Sequence, residues 1–129
     1  MTNKLKVLIV EDDESLLNFY DAAISSELFE KRLAADGKSA MENYRNWHPD
    51  VIVLDIFLPD MSGCSMLKEI REDIGDRETT VIISTSTDEK RDIEVCRKLG
   101  IQGYIVKPFS YKEINDKILA AYRSGKADK

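Results

Sequence analysis

The chain has 129 residues, of which 43% are hydrophobic and 33% are charged, and its formal net charge is −5 at pH 7. This length predicts a single domain that is large enough to bury a core. The acidic balance argues against binding to nucleic acid or to a membrane surface, because both select faces rich in Lys and Arg. No apolar run approaches the roughly 18 residues of a membrane helix, and the N-terminal run is too short for a signal peptide. We therefore expect a cytoplasmic protein.

Two cysteines, Cys64 and Cys96, lie far apart in the sequence and form no Cys-x-x-Cys pair. In a reducing compartment such residues are usually thiols. The sequence therefore predicts two reduced cysteines with a structural role.

Short apolar runs alternate with segments of helical periodicity along the whole chain. The predicted strands are 5–10, 32–35, 51–54, 81–83 and 103–106. The helical stripes that follow them are Leu17, Tyr20, Ile24 and Leu28; Ala40, Tyr44 and Trp47; Leu67, Ile70 and Ile74; Ile93, Cys96 and Leu99; and Ile114, Ile118 and Tyr122. This alternation predicts an α/β fold with a five-stranded parallel sheet, doubly wound, with helices on both faces. The single domain, 1–129, should have its core at about 4–122 and a fraying polar tail at 123–129.

Carboxylates, a hydroxyl and an ammonium group stand at the ends of predicted strands: Glu11 and Asp12, Asp55, Thr85 and Lys107. The carboxyl ends of parallel strands meet at one edge of the sheet, where doubly wound folds place their sites. Clustered carboxylates need a counter-charge, and Mg²⁺ takes oxygen ligands of this kind. A lysine and a hydroxyl beside Mg²⁺ are suited to a phosphate.

Each of these residues also has an ordinary structural interpretation. Acids after a strand often cap the next helix, which is the expected role of Asp13 or Glu14. Asp55 alone could end a strand, Thr85 could be a cap or turn residue, and Lys107 could be a solvated lysine before a proline. The site hypothesis depends on all of them reaching the same edge.

Five segments, taken in order, resemble the receiver domains of two-component response regulators: 10–13, 35–40, 55–63, Thr85 and 103–109. The third reads DIFLPDMSG and closely matches the family pattern D-x-x-L/M-P-x-M-x-G. The resemblance covers the chain from about residue 4 to 122. It implies a flavodoxin-like sheet with the strand order 2-1-3-4-5.

The resemblance also implies a phosphorylation site with a metal cofactor. Asp55 would accept a phosphoryl group from a histidine kinase or a histidine phosphotransfer protein. Asp12 and Asp55 would bind Mg²⁺ directly, Glu11 would bind it through water, and the backbone carbonyl of Phe57 would supply a further oxygen. Glu11 stands where many relatives have Asp.

The same resemblance implies how the site would signal. Thr85 and Lys107 would bind phosphoryl oxygens, and Tyr104 would be an aromatic switch that turns inward. A downstream protein would bind the face formed by helix four, strand five and helix five. We further expect Phe57 and Thr87 to set the phosphoryl lifetime together. The peptide bond from Lys107 to Pro108 would be cis, as in relatives.

Two other functions remain open alongside the receiver. A Mg²⁺-dependent aspartyl phosphohydrolase usually carries D-x-D after the strand, but Phe57 stands at the second acidic position. A receiver-like binding module that has lost phosphorylation usually lacks an acid, the hydroxyl or the lysine. A P-loop nucleotide binder is excluded, since GxxxxGK(S/T) does not occur. Because the chain ends soon after the fifth helix, we expect a stand-alone switch or a piece of a longer protein.

Overall fold

A computed structural model describes residues 4–86, 90–107, 109–110 and 112–127. Its strands are β1 (Leu5–Val10), β2 (Phe29–Ala34), β3 (Val51–Asp55), β4 (Thr80–Ser86) and β5 (Gly103–Lys107). They form one parallel sheet with the order β2-β1-β3-β4-β5. The doubly wound fold and its strand order are therefore confirmed.

The first four helices connect successive strands, the fifth follows the last strand, and together they cover both faces of the sheet. They are α1 (Glu14–Ala23), α2 (Gly37–Trp47), α3 (Gly63–Lys68), α4 (Lys90–Leu99) and α5 (Glu113–Ala127), and a π-helical segment, Glu69–Asp73, continues α3. None of the helices in the described part of the chain is long and apolar enough to cross a membrane.

Strand β3 is buried on both faces, as its continuous apolar run predicts. Val51 and Val53 pack with α1 and α5 on one face, whereas Ile52 and Leu54 pack with α2, α3 and α4 on the other. Successive side chains of a strand point to opposite faces, so a strand between two helical layers needs apolar residues at every position. Asp55 ends this rigid element and remains 6% exposed.

Three boundaries differ from the sequence prediction. Strand β2 begins at Phe29 instead of 32, because it is an edge strand whose charged side chains interrupt the apolar run. Helix α1 ends at Ala23, so Leu28 lies beyond it and is 47% exposed. Helix α5 continues to Ala127, past the predicted core boundary and into the segment expected to fray.

Cys64 and Cys96 form a disulfide, so the prediction of two reduced thiols is wrong. Cys64 lies in the first turn of α3 and Cys96 lies in α4. The two helices pack side by side on the same face of the sheet, which brings the two Cα atoms to 5.6 Å despite a separation of 32 residues. Sequence spacing alone carries no sign of this contact.

Candidate functional site

Three of the predicted site residues meet at the carboxyl edge of the sheet. The Lys107 Nζ lies 2.9 Å from Glu11 Oε1 and 3.3 Å from Asp55 Oδ1. Their approach follows from the pleat, since Ile9, Val53 and Ile105, two residues earlier in each case, belong to the core against α1 and α5. The side chains therefore project to the same side of the sheet, Glu11 from just after β1 and Asp55 and Lys107 from the last positions of β3 and β5.

Burial determines the electrostatics of this cluster. Glu11 is 1% exposed, and this burial raises its pKa to about 7. The contact with the Lys107 ammonium opposes the rise, whereas the nearby charge of Asp55 adds to it. Burial by itself lowers the pKa of Lys107, but its contacts with Glu11 and Asp55 outweigh that effect and leave the pKa raised. The lysine is thus the counter-charge that two buried carboxylates share.

The acidic residues also fit a hard cation. Glu11, Asp12 and Asp55 each offer a carboxylate oxygen, and these oxygens lie within 4.8 Å of one another. Within the described residues, the buried Oε1 of Glu11 has an ion pair with Lys107 but no hydrogen bond. Asp12 is exposed and completes an all-oxygen set of the kind that Mg²⁺ prefers. The residues present are therefore suitable for Mg²⁺.

Asp13 has the structural role that the sequence predicts for it. Its carboxylate accepts a hydrogen bond of 3.0 Å from the Leu16 amide and caps the start of α1. The run of acids after β1 is therefore divided between the cluster and the helix cap.

A tight loop leaves Asp55 and leads into α3. The Gly63 amide donates a 2.5 Å hydrogen bond to the carbonyl of Ile56, which draws the start of α3 back against the end of β3. A Cβ at Gly63 would overlap the backbone carbonyl of Asp55. Only glycine allows this approach, so the last residue of the family-like motif sets the position of its first.

The same loop is tied to the start of α2. The Asp60 carboxylate accepts hydrogen bonds from the Gly37 and Lys38 amides at 2.7 and 2.9 Å, and these hold the pKa of Asp60 below its usual range. Phe57, earlier in the loop, is 55% exposed. The aromatic residue is therefore largely exposed, two positions after Asp55, on a loop that hydrogen bonds attach to α2 and α3.

Thr85 and Tyr104 lie on β4 and β5. Thr85 is fully buried and its hydroxyl donates to the Ser86 carbonyl at 3.1 Å. Tyr104 is 42% exposed, and its ring lies beneath the Arg97 guanidinium at 5.3 Å. Thr87, the peptide bond to Pro108 and the stretch just before α4 lie outside the described residues.

A buried hydroxyl pair next to the cluster was not predicted from the sequence. The Tyr20 hydroxyl hydrogen-bonds the Ser84 hydroxyl, and both residues are 1% exposed. Ser84 is the register partner of Asp55. Burial raises the pKa of Tyr20 to about 12, although the Ser84 hydrogen bond opposes the rise. A serine inside an apolar strand indicates that its hydroxyl has a hydrogen-bond partner in the fold. Helical periodicity placed Tyr20 only in the apolar stripe of α1, so the pair could not be predicted.

Curated proteins of two kinds are similar to the chain. It is 36% identical over 119 residues to the sensory transduction protein RegX3 of Mycolicibacterium smegmatis, covering 92% of this chain and 51% of that protein. It is 32% identical over 115 residues to the regulatory protein AtoC of Escherichia coli K12, covering 89% of this chain and 24% of that protein. The chain thus spans about half the length of the first relative and less of the second.

Solved structures share the whole fold. The receiver domain of the Francisella response regulator 1452 superimposes with a TM-score of 0.82 at 30% identity, covering 98% of this chain and 100% of that one. A CheY-like receiver domain protein of Methanospirillum hungatei, at 22% identity, gives a TM-score of 0.87 with 98% and 100% coverage and supports the fold alone. The family model described as the response regulator receiver domain matches residues 7–119. The chain belongs to the receiver domain family of two-component response regulators.

Proposed function

We propose that the chain is a signalling switch in which Asp55 accepts a phosphoryl group from a phosphohistidine of a partner kinase or phosphotransfer protein in the cytoplasm. The observation that carries this proposal is the meeting of Glu11, Asp55 and Lys107 at the carboxyl edge of the sheet. Two buried carboxylates beside a single ammonium form a site that favours additional positive charge and can then hold an anion.

The transfer itself requires little covalent chemistry from the protein. The phosphorus–nitrogen bond to the donor imidazole breaks as a phosphorus–oxygen bond to a carboxylate oxygen of Asp55 forms. Asp12 and Asp55, with Glu11 through water and the Phe57 carbonyl, would hold Mg²⁺, which offsets the charge of the approaching phosphoryl group. Rigid placement of Asp55 at the end of the doubly covered strand β3 supplies the positioning.

Two side chains would then read the phosphoryl group. Lys107 Nζ, already 3.3 Å from Asp55 Oδ1, is placed to pair with one phosphoryl oxygen, and the Thr85 hydroxyl would donate to another. Hydrogen bonds of this charge-assisted kind contribute roughly 1.5–3 kcal/mol each. Reversing a conformational balance of about 1:99 takes about 5.5 kcal/mol. Two such bonds approach that value, so the unphosphorylated protein should already sample its active state.

The readout would travel to the face formed by α4, β5 and α5. Tyr104 lies on this face, half exposed and in contact with Arg97. In the proposed switch, movement of Thr85 toward the phosphoryl group makes room for Tyr104 to turn inward. A downstream protein would then distinguish the two positions of the ring.

The proposal is tested by incubating the chain with Mg²⁺ and a small acyl phosphate, followed by intact mass measurement and phosphate release. We expect one phosphoryl adduct that is lost in Asp55→Asn and kept in Asp21→Asn, a matched change at an exposed carboxylate. Continuous turnover of many phosphoesters would instead support the phosphohydrolase. The absence of an adduct in both the wild-type chain and Asp21→Asn would support the binding module that has lost phosphorylation.

Phe57 is proposed to lengthen the life of the adduct. Its exposed ring, on the loop that follows Asp55, would obstruct a water molecule that approaches the phosphoryl group. We expect Phe57→Asn to shorten the half-life of the Asp55 phosphate, measured by phosphate release, while Phe57→Leu changes it little. An unchanged half-life in Phe57→Asn would contradict this role.

A further inference from the structure

The disulfide joins two helices that follow two different strands of the site. Cys64 lies two residues into α3, after the loop that leaves Asp55, and Cys96 lies in α4, which follows β4. The Cα separation of 5.6 Å falls in the usual range for a disulfide. These are the only two cysteines of the chain, so no third thiol within it can exchange with the pair.

One residue of the pair is accessible from solvent. Cys96 is fully buried, whereas Cys64 is partly exposed and lines a groove of about 520 Å³ between α3 and α4. Thiol–disulfide exchange requires an external thiolate to reach one sulfur, and the other sulfur then leaves. The geometry makes Cys64 the sulfur that is attacked and Cys96 the leaving sulfur.

The charge of the groove selects the attacking thiol. Lys68 on α3 and Lys98 on α4 are both exposed and line the same groove as Cys64. Two ammonium groups raise the local concentration of anions and accelerate their encounter. A small thiol that carries carboxylates, such as glutathione, is therefore favoured over a neutral one.

We propose that Cys64 and Cys96 form a reversible exchange site for an anionic low-molecular-weight thiol, and that the bond controls how freely α4 separates from α3. A first thiolate attacks the Cys64 sulfur, the disulfide breaks, and the Cys96 thiolate takes up a proton. A second thiolate attacks the mixed disulfide and releases the oxidised small thiol and the Cys64 thiol. In sum, the disulfide and two thiols become a dithiol and one small-molecule disulfide, with two electrons passed to the protein.

The mechanical consequence follows from how α4 is held. Of its described side chains, Ile93, Cys96 and Leu99 reach the core, while Val95 is 52% exposed in the groove. The disulfide from Cys96 to α3 therefore adds a covalent restraint to the small apolar contact between α4 and the core. A helix can open locally at a free energy below that of global unfolding. The disulfide should raise this opening free energy for α4, so amide exchange in α4 should be at least about tenfold slower in the oxidised chain.

The first test titrates the full chain in mixtures of reduced and oxidised glutathione, quenches it with iodoacetamide and measures the mass. We expect interconversion between a doubly alkylated and an unalkylated form, with the mixed disulfide only transient. The proposal would be overturned if glutathione remained stably attached to one cysteine, or if the redox state of the pair did not change with the glutathione mixture.

The charge reversals Lys68→Glu and Lys98→Glu together should slow reduction by glutathione severalfold but not reduction by neutral mercaptoethanol. Equal effects on both thiols would refute the anionic selectivity.

The second test compares hydrogen exchange of oxidised and reduced chains by mass spectrometry, without Mg²⁺ or a phosphoryl donor. The difference should be confined to α4 and the start of α3, and Cys64→Ser, at the partly exposed position, should exchange like reduced wild type in both buffers. Identical exchange in the two wild-type forms would refute control of α4. Neither test involves Asp55, so failure here is distinct from failure of the proposed phosphorylation.

Discussion

The two ends of the β-sheet both bury charge, but they satisfy it differently. At the amino ends of β4 and β5, the Arg71 guanidinium is 2% exposed. It donates to the carbonyl oxygens of Gly100, Asp76 and Thr79 at 3.0, 2.9 and 2.8 Å, and also reaches the Gln102 side chain at 3.3 Å. This charge is surrounded by acceptors that the fold itself provides.

At the carboxyl end of the sheet, the described residues supply fewer partners for the buried charge. Glu11 and Asp55 share the single ammonium of Lys107, and Asp12 brings another carboxylate close to them. Buried charge by itself therefore does not identify a functional site. The useful distinction is whether the chain supplies the partners, as it does for Arg71, or leaves them to a ligand.

The strongest test of this comparison is Arg71→Met. Removing the guanidinium leaves three partly buried carbonyl groups without this donor, so we expect the free energy of unfolding to fall by about 3 kcal/mol. Urea denaturation measures the change. Arg77→Met, the same substitution at an exposed position, should cost less than about 0.5 kcal/mol. Equal losses in the two variants would mean that the Arg71 hydrogen bonds contribute nothing specific.

At the site end, Gly63→Ala should act through shape instead of charge. Its Cβ would overlap the Asp55 carbonyl, so we expect a loss of about 2 kcal/mol and slower phosphorylation of Asp55. Gly103→Ala is the matched control, because its Cβ would make ordinary contacts, the nearest at 3.6 Å. Urea unfolding and adduct formation measure both effects, and a fully active Gly63→Ala would show that the loop tolerates displacement.

Asp76 tests whether the amino end is stabilised by ordinary hydrogen bonding. Its carboxylate accepts from the Tyr44 hydroxyl at 2.6 Å and from the Thr79 amide and hydroxyl at 3.0 and 2.5 Å. Burial opposes ionisation, but these hydrogen bonds outweigh it and lower the pKa of Asp76. Asp76→Asn should cost about 1.5 kcal/mol at neutral pH.

The pH dependence of that loss has a definite sign. Because the pKa of Asp76 in the folded state lies below its ordinary value of 3.8, its contribution is present above that value and disappears as the pH falls below it. The difference between wild type and Asp76→Asn should therefore shrink toward about pH 3 in urea titrations. Asp73→Asn, at an exposed site, is the matched control and should cost less than about 0.5 kcal/mol at neutral pH. A constant difference would rule out the carboxylate as its source.

The smallest expected effect is at Glu11, where removal of charge should stabilise the fold. In EDTA at neutral to alkaline pH, Glu11→Gln should raise the free energy of unfolding by about 1 kcal/mol or less, because it removes a buried charge next to Asp55. Millimolar Mg²⁺ should then stabilise wild type more than the variant. Thermal denaturation measures both, with exposed Glu42→Gln as the unchanged control. A Glu11→Gln protein that is destabilised in EDTA would contradict the comparison.

Local signals were enough to predict most of the sheet and the position of the cluster. The run at 51–54 predicts a strand covered on both faces, and the acid directly after it predicts a site at the sheet edge, where Asp55 lies against Lys107. The weaker signal of β2 failed at its start, because an edge strand has one solvated side and Phe29 is separated from the other apolar residues by charges. Periodicity also extended α1 too far, since Leu28 continues its stripe without being helical.

Residue types and their spacing were enough to predict the strand–helix alternation, the doubly covered β3 and the chemistry at the strand ends, because each of these depends on residues within one element. The side chains that satisfy one another across elements became visible in the folded chain alone. The Cys64–Cys96 bond, the Tyr20–Ser84 hydroxyl pair and the Arg71 contacts each join residues distant in the chain. Their partners are determined by the order of the strands and by the packing of helices on them. Neither property can be predicted from a local sequence pattern.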